Sequence, residues 1–350
     1  MANDVNVNTI YQGKAYGDVA TTLLANGMNA NALRPWVGDD GRSFVNNDGK
    51  AVPTANAATL RKDEWKQFDD AIVKVAQSRM VGVKDLKSRG LILDIENGLG
   101  TTVLETEIMS DISDAELNMD GDVEAKGDRP MYDIGYLPLP IISKPFQIST
   151  RVLEASRKRG QPLDTANAEM CVRKIVEKME SILFTGSDSY AFGGGTLYGY
   201  MDAPNSNSVN LVDDWDDSSC SGTEVLTDVL AMKQSLIDAK MYGPYVMYIP
   251  TNYETALDDE FKTNSDVSIR ERLMKISGIS EIIVADSLTA NNVLLVQMSS
   301  DVVRMVSGLP ITMLQWESSG GMRLNYNIIT IDVPQVRSDY EGNSGICHLA

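Results

Sequence analysis

Histidine is almost missing from this chain. Its 350 residues include one, His348, in a stretch that reads as a C-terminal tail. Hydrolases that work through serine or cysteine need an imidazole held rigidly against the nucleophile. A tail histidine does not meet that need, and zinc sites built on several histidines are excluded. Cysteine is scarce too. Cys171, Cys220 and Cys347 are odd in number and far apart, so they give neither a disulfide framework nor a CxxC metal pair, and inert free thiols are expected. No apolar run approaches the roughly 20 residues of a membrane helix. Met1-Ala2-Asn3-Asp4 lacks the basic region and apolar stretch of a secretory signal, so synthesis in a cytoplasm is expected. The glycine-rich phosphate loop ending in Lys-Ser or Lys-Thr, GxGxxG after a strand and the GxSxG elbow are all absent.

Positive charge is in short supply: 31 Lys+Arg face 49 Asp+Glu, a net charge of −18. Such a surface repels a polyanion, which argues against a reader of nucleic-acid sequence. The densest basic run, Arg157-Lys158-Arg159, fits a solvated helix end. Gly193-Gly194-Gly195 lies in a Ser/Tyr/Gly-rich stretch and reads as a turn rather than a phosphate cradle. Acidic clusters are present. Asp213-Asp214-Trp215-Asp216-Asp217 lacks the alternating ligands, glycine and terminal Glu of a calcium loop, so a solvated loop is expected. Asn118-Met119-Asp120-Gly121-Asp122 reads as a turn on the same ground. No catalytic residue, metal site or cofactor site is expected.

Hydrophobic residues make up 43% of the chain, enough for a sizeable core. The length suggests two domains. Residues 1–58 carry little apolar periodicity, and the turn signals Gly38-Asp39-Asp40-Gly41 and Asn46-Asn47-Asp48-Gly49 suggest small hairpins in an extended arm. From Thr59, the spacing of Trp65, Phe68, Ile72, Val75 and Ala76 predicts an amphipathic helix to about Met80. Residues 101–108 and 136–142 read as two strands leading to a polar tip over 111–133. That makes an extended loop over 96–148, far longer than usual connections, so a partner is expected for it. Its Val103, Leu104, Ile108, Tyr136, Leu137 and Ile141 need cover, because a two-stranded ribbon is marginal in water.

The clearest helix follows Pro162-Leu163-Asp164. Ala168, Cys171, Val172, Ile175, Met179, Ile182 and Leu183 form one stripe, and Gly186 ends it. Residues 222–300 alternate helix and strand, with helices expected over 223–240, 253–261 and 267–276 and strands over 245–249, 281–284 and 293–296. Residues 302–336 read as strands with turns at Gly308-Leu309-Pro310 and Gly320-Gly321.

This order of parts resembles the Hong Kong 97-type fold of tailed-phage capsid proteins and encapsulins. Three segments carry the local resemblance to the encapsulin (linocin-like) branch. Asp63-Glu64-Trp65-Lys66-Gln67-Phe68-Asp69 is similar to its N-terminal helix. Glu180-Ser181-Ile182-Leu183-Phe184-Thr185-Gly186, followed by Tyr198-Gly199-Tyr200, is similar to the end of its spine helix and the strand after it. Gly243-Pro244-Tyr245-Val246-Met247-Tyr248-Ile249-Pro250-Thr251 is similar to its Gly-Pro-Tyr strand. The resemblance covers about residues 60–335.

It implies an α+β chain: arm 1–58, N-terminal helix and start of the peripheral domain 59–95, extended loop 96–148, peripheral domain with spine helix 149–221, axial domain 222–300, and returning strands with the C-terminus 301–350. It implies a major capsid protein that assembles with itself as pentamers and hexamers into an icosahedral shell around double-stranded DNA. The DNA would lie in the lumen without sequence-specific binding. Portal and scaffolding or decoration proteins would be partners, and no membrane. The place would be the virion, after assembly in the host cytoplasm. The role is structural, not enzymatic. The alternative is an encapsulin-type nanocompartment around cargo enzymes. Encapsulins begin almost directly at the N-terminal helix, whereas about 58 residues precede it here, which favours the capsid. No long coiled-coil scaffolding segment precedes the body, so scaffolding is expected from a separate protein or from a segment processed away.

Overall fold

The computed structural model describes residues 10–11, 14–15, 36–37, 43–47, 50–53, 62–112, 119, 129–159, 165–217, 220–262, 267–318 and 322–350. Among the described residues, five short strands come first: β1 (Ile10–Tyr11), β2 (Lys14–Ala15), β3 (Trp36–Val37), β4 (Ser43–Asn47) and β5 (Lys50–Pro53). Helices α1 (Lys62–Arg79) and α2 (Gly82–Ser88) lead to β6 (Ile92–Asp94), β7 (Val103–Met109), β8 (Tyr132–Pro138) and β9 (Ile142–Ser149). Then come α3 (Thr150–Arg159), α4 (Ala166–Thr185), β10 (Ser187–Phe192), β11 (Gly195–Leu197), β12 (Asn207–Val209), α5 (Gly222–Asp238) and β13 (Tyr245–Ile249). The chain ends with α6 (Ile269–Met274), β14 (Ile279–Val284), β15 (Val293–Gln297), β16 (Val303–Ser318), β17 (Arg323–Val336) and β18 (Ile346–Leu349).

The hairpins expected in the arm are present: β3, β4 and β5 form an antiparallel sheet in which Asn47 pairs with Lys50. The turn signals at 38–41, 48–49 and 320–321, that at 118–122 except Met119, most of the polar tip and the start signal at 162–164 lie outside the described residues.

Two compact units divide the chain. The first spans Met1–Thr102, Leu139–Leu183 and Met305–Val333. Its sheet runs β6-β16-β17-β9. The seven stripe residues of α4 are all buried, as the spacing predicts. Gly186 follows with φ +73°, a conformation that suits glycine and stops the helix. Phe68 of α1, Phe146 of β9 and Tyr326 of β17 form one aromatic cluster, with Phe146 stacked on Tyr326 at 4.9 Å. β9 ends the sheet order and is paired with β17 over eight residues, with Phe146 and Ile148 buried, so the expected loop gives up its last stretch to this sheet. No turn interrupts residues 308–310, because β16 runs unbroken for 16 residues. Gly98 lies against Gly308, where a Cβ would meet the Gly308 Cα at 2.4 Å, so Gly308 serves close approach and not a turn. Pro310 comes after β6 has left that edge, where no ladder remains for it to interrupt.

The second unit spans Val103–Pro138, Phe184–Arg304 and Pro334–Ala350. Its main sheet is mixed, in the order β12-β18-β15-β13-β14. β13 is buried at every position, as befits a central strand. α5 lays Val225, Val229, Met232 and Leu236 on the core beside Trp215, Tyr253 and Leu273. It begins at a capping box, in which Ser221 and Glu224 satisfy each other's backbone N–H groups. Residues 253–261 do not form a helix. Two short 3-10 turns, Thr251–Tyr253 and Ala256–Asp258, take their place. Asp258, Asp259 and Glu260 would crowd a helix C-terminus that already carries negative charge.

His348 is no tail residue. It lies in β18, between β12 and β15, with its ring 2.6 Å from Asn292 Oδ1, and burial pushes its pKa down. Cys171 and Cys347 are buried and Cys220 half-buried, all as free thiols. Burial holds Cys347 up at about 12 and Cys220 at about 11, so both are weak nucleophiles.

The acidic loop at 213–217 is pinned from below. Trp215 is buried and donates from Nε1 to Asp228 Oδ2 at 3.0 Å. Burial pushes the Asp228 carboxyl up, and the charges of Glu224 and Asp213 add to it, against the lowering effect of the Trp215 bond. A carboxyl raised on folding contributes stability that is present below its unfolded pKa and lost as pH rises through the folded value. Asp228→Asn keeps an acceptor for Trp215 and removes that loss. Thermal melts should place it a few degrees above the parent at pH 8, with the gap closing near pH 4. A variant less stable than the parent at both pH values would contradict this account.

Candidate assembly surface

The extended ribbon is β7 paired with β8 in strict antiparallel register, from Val103 opposite Pro138 to Met109 opposite Tyr132. Directly opposed residues share a face, and neighbours along a strand alternate. One face therefore carries Leu104, Thr106 and Ile108 with Leu137, Gly135 and Asp133. The other carries Val103, Glu105, Glu107 and Met109 with Pro138, Tyr136, Ile134 and Tyr132.

The two faces differ in cover. Leu104 and Leu137 are direct cross-strand partners, Leu104 half-buried and Leu137 7% exposed. Thr106 Oγ1 donates to Gly135 O and accepts from Gln335 Nε2 at 3.4 Å. Residues 335–338 thus lie along this face within the same unit. On the opposite face the β10–β11 hairpin covers only the base. A Cβ on Gly193 would meet Val103 Cγ2 at 2.5 Å, and one on Gly195 would meet Tyr136 O at 2.2 Å. Packing therefore requires glycine at 193 and 195. Farther out, Met109 (58% exposed), Tyr132 (61%), Ile134 (48%) and Tyr136 (42%) form an open apolar row.

Of the six residues expected to need cover, five lie on the ribbon. Leu104, Ile108 and Leu137 are on the face covered by the chain itself. Val103 is at the packed base, and Tyr136 is on the open row. Ile141 is 53% exposed but precedes β9 in the first unit, so it is not part of this surface. The sequence reading missed Met109, Tyr132 and Ile134, although the alternation Tyr132-Asp133-Ile134-Gly135-Tyr136 carries the signal. Fully covering such side chains is worth about 1.5–3 kcal/mol each, whereas exposed ion pairs give at most about 1 kcal/mol. The row can act as an adhesive strip for another protein surface.

Among the described residues, no group of three or more His, Cys, Asp or Glu side chains is placed to hold a metal. No described helix is long and apolar enough to cross a membrane.

Comparison with known proteins gives the same fold. The chain is similar to the type 1 encapsulin shell protein EncA of Myxococcus xanthus, 24% identical over 194 residues, which cover 54% of this chain and 61% of that protein. The chain thus matches less than two thirds of that relative's length. Among solved structures, the virus-like particle from Pyrococcus furiosus superposes with a TM-score of 0.60 at 17% identity, covering 82% of this chain and 99% of that one. The capsid of Myoviridae phage XM1 superposes at 0.58 and 12% identity, covering 77% and 91%. These likenesses place the α+β architecture in the Hong Kong 97-type capsid fold, related to both phage capsids and encapsulins. A family model matches residues 54–349, and by that match the chain belongs to DUF6260, a family of unknown function.

Proposed function

We propose that this chain is a shell subunit, the major capsid protein of a tailed phage, which assembles with itself around double-stranded DNA. The observation that carries the reading is the open apolar row on the ribbon of a capsid-type fold. A monomer gains nothing by holding out a ribbon with four large apolar groups in water, whereas a neighbouring subunit that buries them offsets its ordering entropy. The role is structural rather than catalytic. Pentamers and hexamers would close the shell, with portal and scaffolding or decoration proteins as further partners. A net charge of −18 suits a wall that holds DNA without gripping it.

The second reading, a nanocompartment around cargo enzymes, draws support from the similarity to EncA. The strands β1 to β5 ahead of α1 favour the capsid, because an arm with its own hairpins suits packing on neighbouring subunits. Light scattering and electron microscopy of the full-length chain, purified with and without co-expressed scaffolding protein, test the common part. Closed megadalton shells are expected, and a stable monomer or dimer under all assembly conditions would refute it. Particles recovered from their natural source separate the readings: nuclease-protected DNA supports the capsid, and a co-purifying enzyme with a docking peptide supports the compartment.

A further inference from the structure

A cavity of about 300 Å³ within the second unit is lined by Thr106, Ile108 and residues 134–137 of the ribbon, by residues 194–196 and Tyr198, and by residues 335–338. Thr106, Thr196, Tyr198 and Ser338 supply hydroxyls to its wall, and among the described residues Arg337 is the only charged one that lines it. In a chain with 49 acidic residues, no described Asp or Glu lines this wall. Arg337 is half-buried, and its guanidinium takes part in no hydrogen bond or ion pair among the described residues. The acids nearest to it along the chain are engaged elsewhere. Asp339 accepts from the backbone and side chain of Asn343, and Glu341 pairs with Lys240.

A second guanidinium stands beside it. Arg304 donates from Nε to Gln335 Oε1 at 2.7 Å, and Gln335 reaches on to Thr106. Burial pushes the Arg304 pKa down, the charge of Arg337 adds to that, and Asp301 acts the other way. Two cations in proximity, one of them without a partner in a walled hollow, cost energy unless an anion joins them.

From this arrangement we infer that the cavity is an oxyanion site, built to take a carboxylate or a phosphate on the Arg337 guanidinium, with the threonine and serine hydroxyls around it. The planar fork of arginine suits such groups, which it can bind through two parallel N–H bonds. Two sources supply the chemistry: a free anion, or an acidic side chain of a second copy of this chain. The site itself stands on the fold of one chain, and only the second source rests on the shell reading.

Calorimetric titration of the full-length chain with inorganic phosphate at low ionic strength tests the site. Saturable binding is expected, weakened about tenfold or more by Arg337→Gln and less by Arg337→Lys, which keeps the charge and loses the fork. Circular dichroism should show the fold of both variants unchanged. Should the Gln variant fail to fold, the Lys variant alone still has to bind more weakly than the parent. The same titration on assembled particles separates the sources: binding lost on assembly assigns the site to a neighbour's carboxylate, and binding retained assigns it to a free anion. Absence of phosphate binding by the parent chain, or equal binding by parent and both variants, overturns the inference. A chain that binds phosphate yet never assembles leaves the site intact and removes only the shell reading.

Discussion

Subunits that carry Tyr132→Glu together with Ile134→Glu are expected to stay unassembled, while their circular dichroism and melting temperature match the parent. Both side chains lie on the open row, 61% and 48% exposed, so the folded chain by itself hardly depends on them. Surface changes of this kind usually move stability by less than about 0.5 kcal/mol. In a contact with a neighbour, the double variant loses two apolar anchors worth about 1.5–3 kcal/mol each. It also adds two carboxylates beside Glu105 and Glu107, which face the same way. Burying unpaired charge is costlier than losing the contact, and the loss recurs at every subunit of a shell. Glu105→Gln with Glu107→Gln is the control: it removes charge from the same face and should assemble at least as well. Leu137→Asp is a poor probe, because Leu137 is 7% exposed and its replacement damages the subunit first. Sedimentation under assembly conditions reads the result. Shells formed by the Tyr132/Ile134 variant as readily as by the parent would show that the row faces solvent in the assembly.

That contrast between the ribbon's faces marks how far the sequence could be read. The two strands were legible from their β-branched and aromatic content. Which face the chain covers for itself was not. The cover comes from residues 335–338, far along the chain, and no local pattern announces it. α4 was legible because its stripe repeats over five turns, and all seven stripe residues are buried. Short elements were harder. Ile346-Cys347-His348-Leu349 is too brief to show a period, yet it lies between β12 and β15 in a five-stranded sheet, where long-range pairing decides. Gly308-Leu309-Pro310 has turn chemistry but lies in a strand, since Gly98 demands a residue without a Cβ there. The Ser221–Glu224 capping box was readable and would have moved the start of α5 forward to Gly222.

Replacing Glu180 by Ala is expected to lower the stability of the first unit by at least about 3 kcal/mol. Nothing in the sequence separates this residue from the solvated glutamates of the same helix, yet it is 4% exposed. Its carboxylate reaches from α4 to the start of α2. There it accepts from the N–H groups of Val81 at 2.9 Å, Gly82 at 3.1 Å and Val83 at 3.0 Å. Those are donors that a helix cannot satisfy internally, and Val81 at the N-cap has no side chain that can do so. A carboxylate also suits the positive end of the helix. Alanine leaves three donors without an acceptor, two of them fully buried, in a segment where Val83 and Leu86 are 0% exposed and water has little access. Each such donor costs about 1–3 kcal/mol. Glu180→Gln keeps one acceptor oxygen but turns its amide protons toward N–H groups, so an intermediate loss is expected. Glu180→Asp is one methylene short of its partners and should resemble Ala more than Gln. Urea unfolding of unassembled subunits gives the order parent, Gln, then Asp and Ala. Hydrogen exchange gives the location, with the amides of Val81, Gly82 and Val83 losing protection first. Wild-type stability in the Ala variant, with those amides still protected, would mean that another group caps α2.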